Sequence, residues 1–163
     1  DHPAIARLVD VGDSAERPYL AMEFVAGDSI DAYCEQRRVT APERVRKVLT
    51  LLAGLQYAHE RLVVHRDIKA ANVLVDTSGQ PRILDFGIGK ALDDAAPSTA
   101  DGQRYFSLAC AAPEQIRGLP SSAATDVYAV AVLLYELLCG AVPLEFAELS
   151  VPDALERAMQ QLP

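Results

Sequence analysis

The apolar positions of this chain change period several times, and each change marks an element. His2-Pro3 opens an extended run, Ile5-Ala6-Arg7-Leu8-Val9, which Gly12-Asp13-Ser14 punctuates. Pro18 then precedes a second run, Tyr19 to Val25, so residues 1–25 read as two strands. Residues 28–38 read as a short helix. The clearest helix is 40–61, where Thr40 and Glu43 form a capping-box pattern and Pro42 sits in the first turn. Within it Val45, Val48, Leu49, Leu52 and Leu55 recur at helical spacing and predict one buried face. Arg44, Arg46 and Lys47 fall largely off that face and read as solvated. Val73-Leu74-Val75, a turn at 76–79 and Arg82-Ile83-Leu84 predict a hairpin. Residues 88–111 are small, polar and aperiodic around 93–102, and read as a loop. Residues 121–139 carry an almost unbroken apolar series and predict a helix buried all round. A short amphipathic helix is expected over 152–161.

The hairpin has a chemical consequence. It folds its ends together, so Asn72 and Asp85 are expected at one edge. An amide oxygen beside a carboxylate is a hard, oxygen-rich pair that suits Mg²⁺. Asp67 and Lys69, a few residues upstream, are expected to face the same point.

These residues carry a resemblance. His65-Arg66-Asp67, with Asn72 five residues past the Asp, then Asp85-Phe86-Gly87, then Ala112-Pro113-Glu114, resembles the catalytic loop, metal loop and following motif of protein kinases. Each tripeptide alone is weak; all three in order are specific. The resemblance covers roughly residues 2–145, and the segments around 111–115 and 126–128 most resemble bacterial kinases of the eukaryotic-like type. It implies an α+β, protein-kinase-like fold that is partial: the last strands of the small lobe with most of a mainly helical large lobe. Residues 1–25 would then be small-lobe strands and hinge, and 26–163 a truncated large lobe.

Roles follow residue by residue as what the resemblance implies. Asp67 orients and accepts from the substrate hydroxyl, and Lys69 sets a positive charge near the γ-phosphate. Asn72 and Asp85 hold Mg²⁺. Ser107 bridges Asp67 and Lys69. Lys69 and Ser107 favour Ser/Thr over Tyr specificity. Met22 stands at the gatekeeper position, Glu23 to Val25 form the hinge against adenine, Ser29 lies near the ribose, and Leu74 floors the adenine. Gly27 lets the chain turn into the large lobe. His65 is a packing residue stacked with Phe86 and Leu8, and Asp126 accepts backbone hydrogen bonds from the catalytic loop. Arg66 implies switching by phosphorylation, with Ser98 and Thr99 as candidate acceptors. Ala70 and Ala131 stand where the family more often has Pro and Gly. Cys110 reads either as a redox-sensitive thiol or as a small apolar filler.

Composition adjusts this picture little. The 163 residues are half hydrophobic, enough for a domain core, and the formal net charge of −8 argues against nucleic acid or an anionic membrane surface as a general partner. Three cysteines show no paired or metal-like spacing. The chain opens at Asp1, in mid-pattern, and reads as part of a longer domain. The given residues carry no Gly-rich loop and no strand Lys with its helix Glu, and the resemblance places the Arg partner of Glu114 after them, so the isolated segment is expected to be inactive.

The expectation is a cytoplasmic Ser/Thr kinase domain using ATP and Mg²⁺ on protein substrates. It has no direct membrane contact from this segment, and the full-length protein has scope for an anchor elsewhere and for activation by dimerisation. Two rivals stay open: a pseudokinase or regulatory binding module, and a small-molecule phosphotransferase of kinase-like fold.

Overall fold

The computed structural model describes residues 1–14, 17–86, 110–144, 153 and 156. They fall into two compact units, the first formed by Asp1–Arg61 and Ala70–Asp85, the second by Leu62–Lys69 and Phe86–Pro163.

The first unit starts with the antiparallel pair β1 (Leu8–Ser14) and β2 (Arg17–Met22), irregular in register between Leu8 and Asp10. The apolar run beginning at Ile5 is therefore not one strand. Ile5 makes an isolated parallel bridge to Ile83, and Ala4 and Ala6 exchange main-chain bonds of 2.8 Å with Ile83. The second sheet is β3 (Gly27–Ser29), β4 (Val73–Asp76) and β5 (Pro81–Ile83), in that spatial order and antiparallel throughout. The β4–β5 hairpin follows the expected boundaries closely. Asp76 closes its turn, accepting from Ser78 N at 2.9 Å, Ser78 Oγ at 2.5 Å and Gln80 N at 3.0 Å. These bonds, the Ser78 hydroxyl first, hold its carboxyl below the usual carboxylate range. Gly79 takes φ +83°, the left-handed region where glycine is at ease.

Helix α1 (Ile30–Gln36) follows β3 directly, with Ile30 and Cys34 buried. Helix α2 (Ala41–His59) begins where expected. Glu43 reaches back to accept from Thr40 N at 3.1 Å and Thr40 Oγ1 at 2.6 Å. Its buried face is Val48, Leu51, Gly54, Leu55 and Ala58, so the predicted stripe is rotated. Leu49 is 58% exposed, while Leu51 is covered. The expected solvated cations are also partly structural. Arg44 Nε donates to Val39 O at 2.8 Å, and Lys47 Nζ donates to Gly79 O at 2.7 Å.

In the second unit a single turn, α3 (Pro113–Ile116), precedes helix α4 (Ala123–Cys139). Ser122 caps α4 by accepting from Ala124 N at 3.2 Å, and Gly140, at φ +76°, ends it. Thr125, Asp126, Ala129, Val130, Val132, Leu133 and Leu137 form its buried face. It is not buried all round, because Val127, Tyr135 and Leu138 are 56%, 46% and 45% exposed. Asp153 and Glu156 are helical, and the rest of the helix expected over 152–161 lies outside the described residues.

Candidate active site

The second unit holds the loop of Asp67. The main chain here departs from any regular element, so its donors need other partners. Asp126, wholly buried in the first turn of α4, supplies them: Oδ2 accepts from His65 N and Oδ1 from Arg66 N, each at 2.8 Å. His65 is itself buried. Its Nδ1 accepts from Asp67 N at 3.2 Å, and its ring lies 4.8 Å from that of Phe86. His65 is thus a packing and loop-holding residue, as expected, rather than a base. Its expected neighbour Leu8 belongs to the first unit and is 47% exposed.

Arg66 is held at φ +71°, uncommon for a residue with a Cβ, and its carbonyl accepts from Gln115 Nε2 at 2.9 Å. The loop thereby presents Asp67, whose Oδ2 lies 2.9 Å from Lys69 Nζ. Both side chains are about four-fifths covered, at 19% and 22% exposure, so this pair is less screened than a surface one.

Two contacts of α3, the first of them to this loop, carry no local sequence signal. Gln115 bonds Arg66 O, and Thr125 Oγ1 donates to Glu114 Oε1 at 2.5 Å while accepting from Ser122 N at 2.9 Å. Glu114 therefore has a hydroxyl partner within the described residues. Cys110 proves to be the small filler: it is 7% exposed, and burial pushes its thiol up to about 11. Ser107, Ser98 and Thr99 lie outside the described residues.

The first unit holds Asn72 and Asp85. Asn72 ends a 3₁₀ turn, Ala70–Asn72, that runs into β4. The β4–β5 ladder continues one bond past Val73↔Ile83, since Leu84 N donates to Asn72 O at 2.9 Å. Asp85 follows directly, so the hairpin brings these two residues to the same edge. Asp85 is exposed, with φ +42°. Strained backbone at a chemically suggestive residue is a pointer to function.

A two-oxygen donor set suits Mg²⁺, which keeps waters and takes one or two protein ligands together with phosphate oxygens. Among the described residues no group of three or more His, Cys, Asp or Glu side chains gathers as a metal cage. The donor set fits a metal brought in with a phosphate ligand.

The hinge segment lies after β2. Met22 is 37% exposed and opposite Leu8. The Glu23 side chain is structural, accepting from Arg7 N at 3.1 Å and from Arg82 Nη1 at 3.2 Å. Glu23 N donates to Arg7 O at 2.9 Å, so that donor is engaged. No main-chain hydrogen bond to a described residue occupies Val25. Ser29 is the N-cap of α1 without a side-chain capping bond, and Leu74 is half-buried in β4 opposite Arg82. Gly27 is not a left-handed turn residue. It is a close approach, where an added Cβ would stand 2.0 Å from Val75 O.

The protein kinase domain family matches residues 1–161, and the chain belongs to that family. It is 34% identical over 163 residues to the probable serine/threonine-protein kinase PknB of Lactococcus lactis, covering 99% of this chain and 26% of that protein. It is 32% identical over 164 residues to the serine/threonine-protein kinase PrkC of Bacillus subtilis, with 100% and 25% covered. It is 38% identical over 152 residues to the serine/threonine-protein kinase PknA of Mycobacterium tuberculosis, with 88% and 34% covered. The chain thus spans between a quarter and a third of these relatives, and its α+β architecture is a partial protein-kinase fold. No helix among the described residues is long and apolar enough to cross a membrane.

Proposed function

We propose that the chain supplies the phosphoryl-transfer residues of a serine/threonine protein kinase that moves the γ-phosphate of ATP to protein Ser or Thr hydroxyls with Mg²⁺. The observation that carries this reading is the Asp67–Lys69 pair at 2.9 Å, on a loop whose preceding amides are fixed by buried Asp126. A carboxylate acceptor beside a fixed cation is what the transfer asks of protein, since its barrier is lowered chiefly by alignment and charge neutralisation. In this reading Asp67 orients the acceptor hydroxyl, Lys69 steadies charge on the transferred group, and Asn72 and Asp85 bind Mg²⁺. Ser107 belongs to the same proposal.

Met22, Val25, Ser29 and Leu74, with the main chain of Glu23, are assigned to the nucleotide, residues 1–25 to the small lobe and hinge, and 26–163 to the large lobe. The magnesium ion, when bound with ATP, neutralises the phosphate oxygens. The three unpaired cysteines fit a reducing compartment, and we assign the domain to the cytoplasm.

The test is transfer of labelled γ-phosphate by the full-length protein to Ser/Thr peptides, set beside a panel of aminoglycosides and sugars. Asp67→Asn is expected to lower kcat by about 10²–10⁴-fold, the usual worth of a positioned acid–base group. Asp85→Asn is expected to raise the Mg²⁺ needed for half-maximal rate. Labelling of the small molecules alone would make this a small-molecule phosphotransferase. ATP binding without transfer to either class would make it a pseudokinase.

A further inference from the structure

The chain is acidic, yet one cleft of the first unit is basic. It measures about 360 Å³, within the span of ordinary ligand clefts, and lies among the end of α1, the outer side of α2 and the β4–β5 turn. Four cations line it, Arg37, Arg38, Arg46 and Lys47, against a single carboxylate, Glu43. That carboxylate is engaged by Thr40. Tyr33 forms a platform there: Arg37 Cζ sits 4.2 Å and Lys47 Nζ 4.6 Å from its ring centroid.

Two of the cations have local work. Lys47 bonds Gly79 O at 2.7 Å, and Arg37 meets Asp28 at 3.1 Å. The other two, Arg38 and Arg46, are exposed, and neither has a carboxylate of a described residue at ion-pair distance. Arg38 also sits at φ +49°, a backbone conformation that costs energy for a residue with a Cβ.

We propose that this cleft is a docking site for an acidic peptide segment, rich in Asp or Glu, of a partner protein. The charge surplus of the lining exceeds what one small monoanion neutralises, whereas a peptide offers several carboxylates in a row. Arg38 and Arg46 are the recognising groups, because guanidinium forks match carboxylates bidentately. Tyr33, already fixed by its two cations, offers a rigid aromatic surface to the peptide's apolar stems. The site contains none of the proposed transfer residues, so it stands or falls apart from the kinase reading.

The test is fluorescence anisotropy with the full-length protein, using a short labelled Asp/Glu peptide and its Asn/Gln counterpart. The acidic peptide is expected to bind, more weakly as salt rises. The double variant Arg38→Glu/Arg46→Glu is expected to weaken it about tenfold or more, as reversal of two exposed ion pairs implies. Arg38→Gln/Arg46→Gln is expected to give an intermediate loss with an unchanged unfolding midpoint. Equal binding of the Asn/Gln peptide, or equal affinity of wild type and both variants, overturns the proposal. So does binding of phosphatidylserine vesicles in place of the peptide.

Discussion

Asp126 accepts the amides of two consecutive residues, His65 and Arg66, each at 2.8 Å, from a wholly buried position 60 residues further along the chain. A carboxylate gripping adjacent N–H groups fixes the plane of the peptide between them, and so the direction in which Asp67 leaves the loop. Bonds to a charged acceptor are worth about 1.5–3 kcal/mol each, and loss of one partner strands the other. Asp126→Asn keeps one acceptor but turns an NH₂ toward an amide donor. The expected result is a loss of about 2–4 kcal/mol in urea unfolding, with a larger fall in kcat than in apparent peptide affinity. An unchanged midpoint would show that the two amides find other partners.

Gly27 makes a different kind of contact. Its Cα faces the main chain of β4 so closely that a Cβ would meet Val75 O at 2.0 Å and Val75 C at 2.7 Å. Backbone atoms inside a three-stranded sheet cannot give way as a side-chain tip can. Gly27→Ala is expected to part β3 from β4 and to destabilise by about 2–3 kcal/mol or more, as overpacking and lost ladder bonds do. Thermal unfolding of the variant checks this.

The elements with strong local signals were legible in the sequence. Helix α2 announced itself by Thr40, Pro42 and Glu43, and the β4–β5 hairpin by its turn residues, so the shared edge of Asn72 and Asp85 was legible too. The Asp126 contact with the loop was readable only through the family resemblance, since nothing local links residues so far apart in sequence. Strand β3 escaped notice because Gly-Asp-Ser carries no alternation, and only its partner in β4 makes it a strand. The buried stripe of α2 was rotated because small residues, Gly54 and Ala58, face the core while Leu49 faces solvent. Periodicity counts apolar size and is blind to such close packing. Lys47 and Arg44 were assigned to water because their charge is visible in sequence, whereas the carbonyls that receive them are not.

Leu62 offers a test of backbone strain free of packing. It is 93% exposed, at φ +62°, so its side chain contributes little while its Cβ crowds the left-handed conformation. That conformation costs about 1–2 kcal/mol for an L-residue, partly offset by the extra unfolded-state entropy of glycine. Leu62→Gly is expected to stabilise by about 0.5 kcal/mol, and Leu62→Val, branched at Cβ, to destabilise by about 1 kcal/mol. Chemical denaturation of the pair resolves the opposite signs. Matching losses in both would mean that the leucine side chain is in use.

Cys110 and Cys139 should part company in alkali. Cys139 is exposed at the end of α4, while Cys110 is buried and its thiol is pushed up from 9.0 to about 11, by burial first and then by the Glu136 charge. Thiol reagents at pH 8 are expected to modify Cys139 quickly and Cys110 only after unfolding. The same shift acts on stability. The unfolded thiol ionises first, so above pH 9 the unfolded chain binds fewer protons than the native one, and stability falls as pH rises toward 11. A shift of about two units corresponds to up to about 2–3 kcal/mol across that window. Tyr128, also raised by burial, steepens the upper part of the same limb. Cys110→Ala is expected to lower stability modestly at pH 7 through lost packing, yet to flatten the decline between pH 9 and 11. The slope, read from urea midpoints at several pH values, separates the titration of the thiol from its volume. A variant declining as steeply as wild type would assign the alkaline limb to Tyr128 and Cys34, both raised by burial, instead.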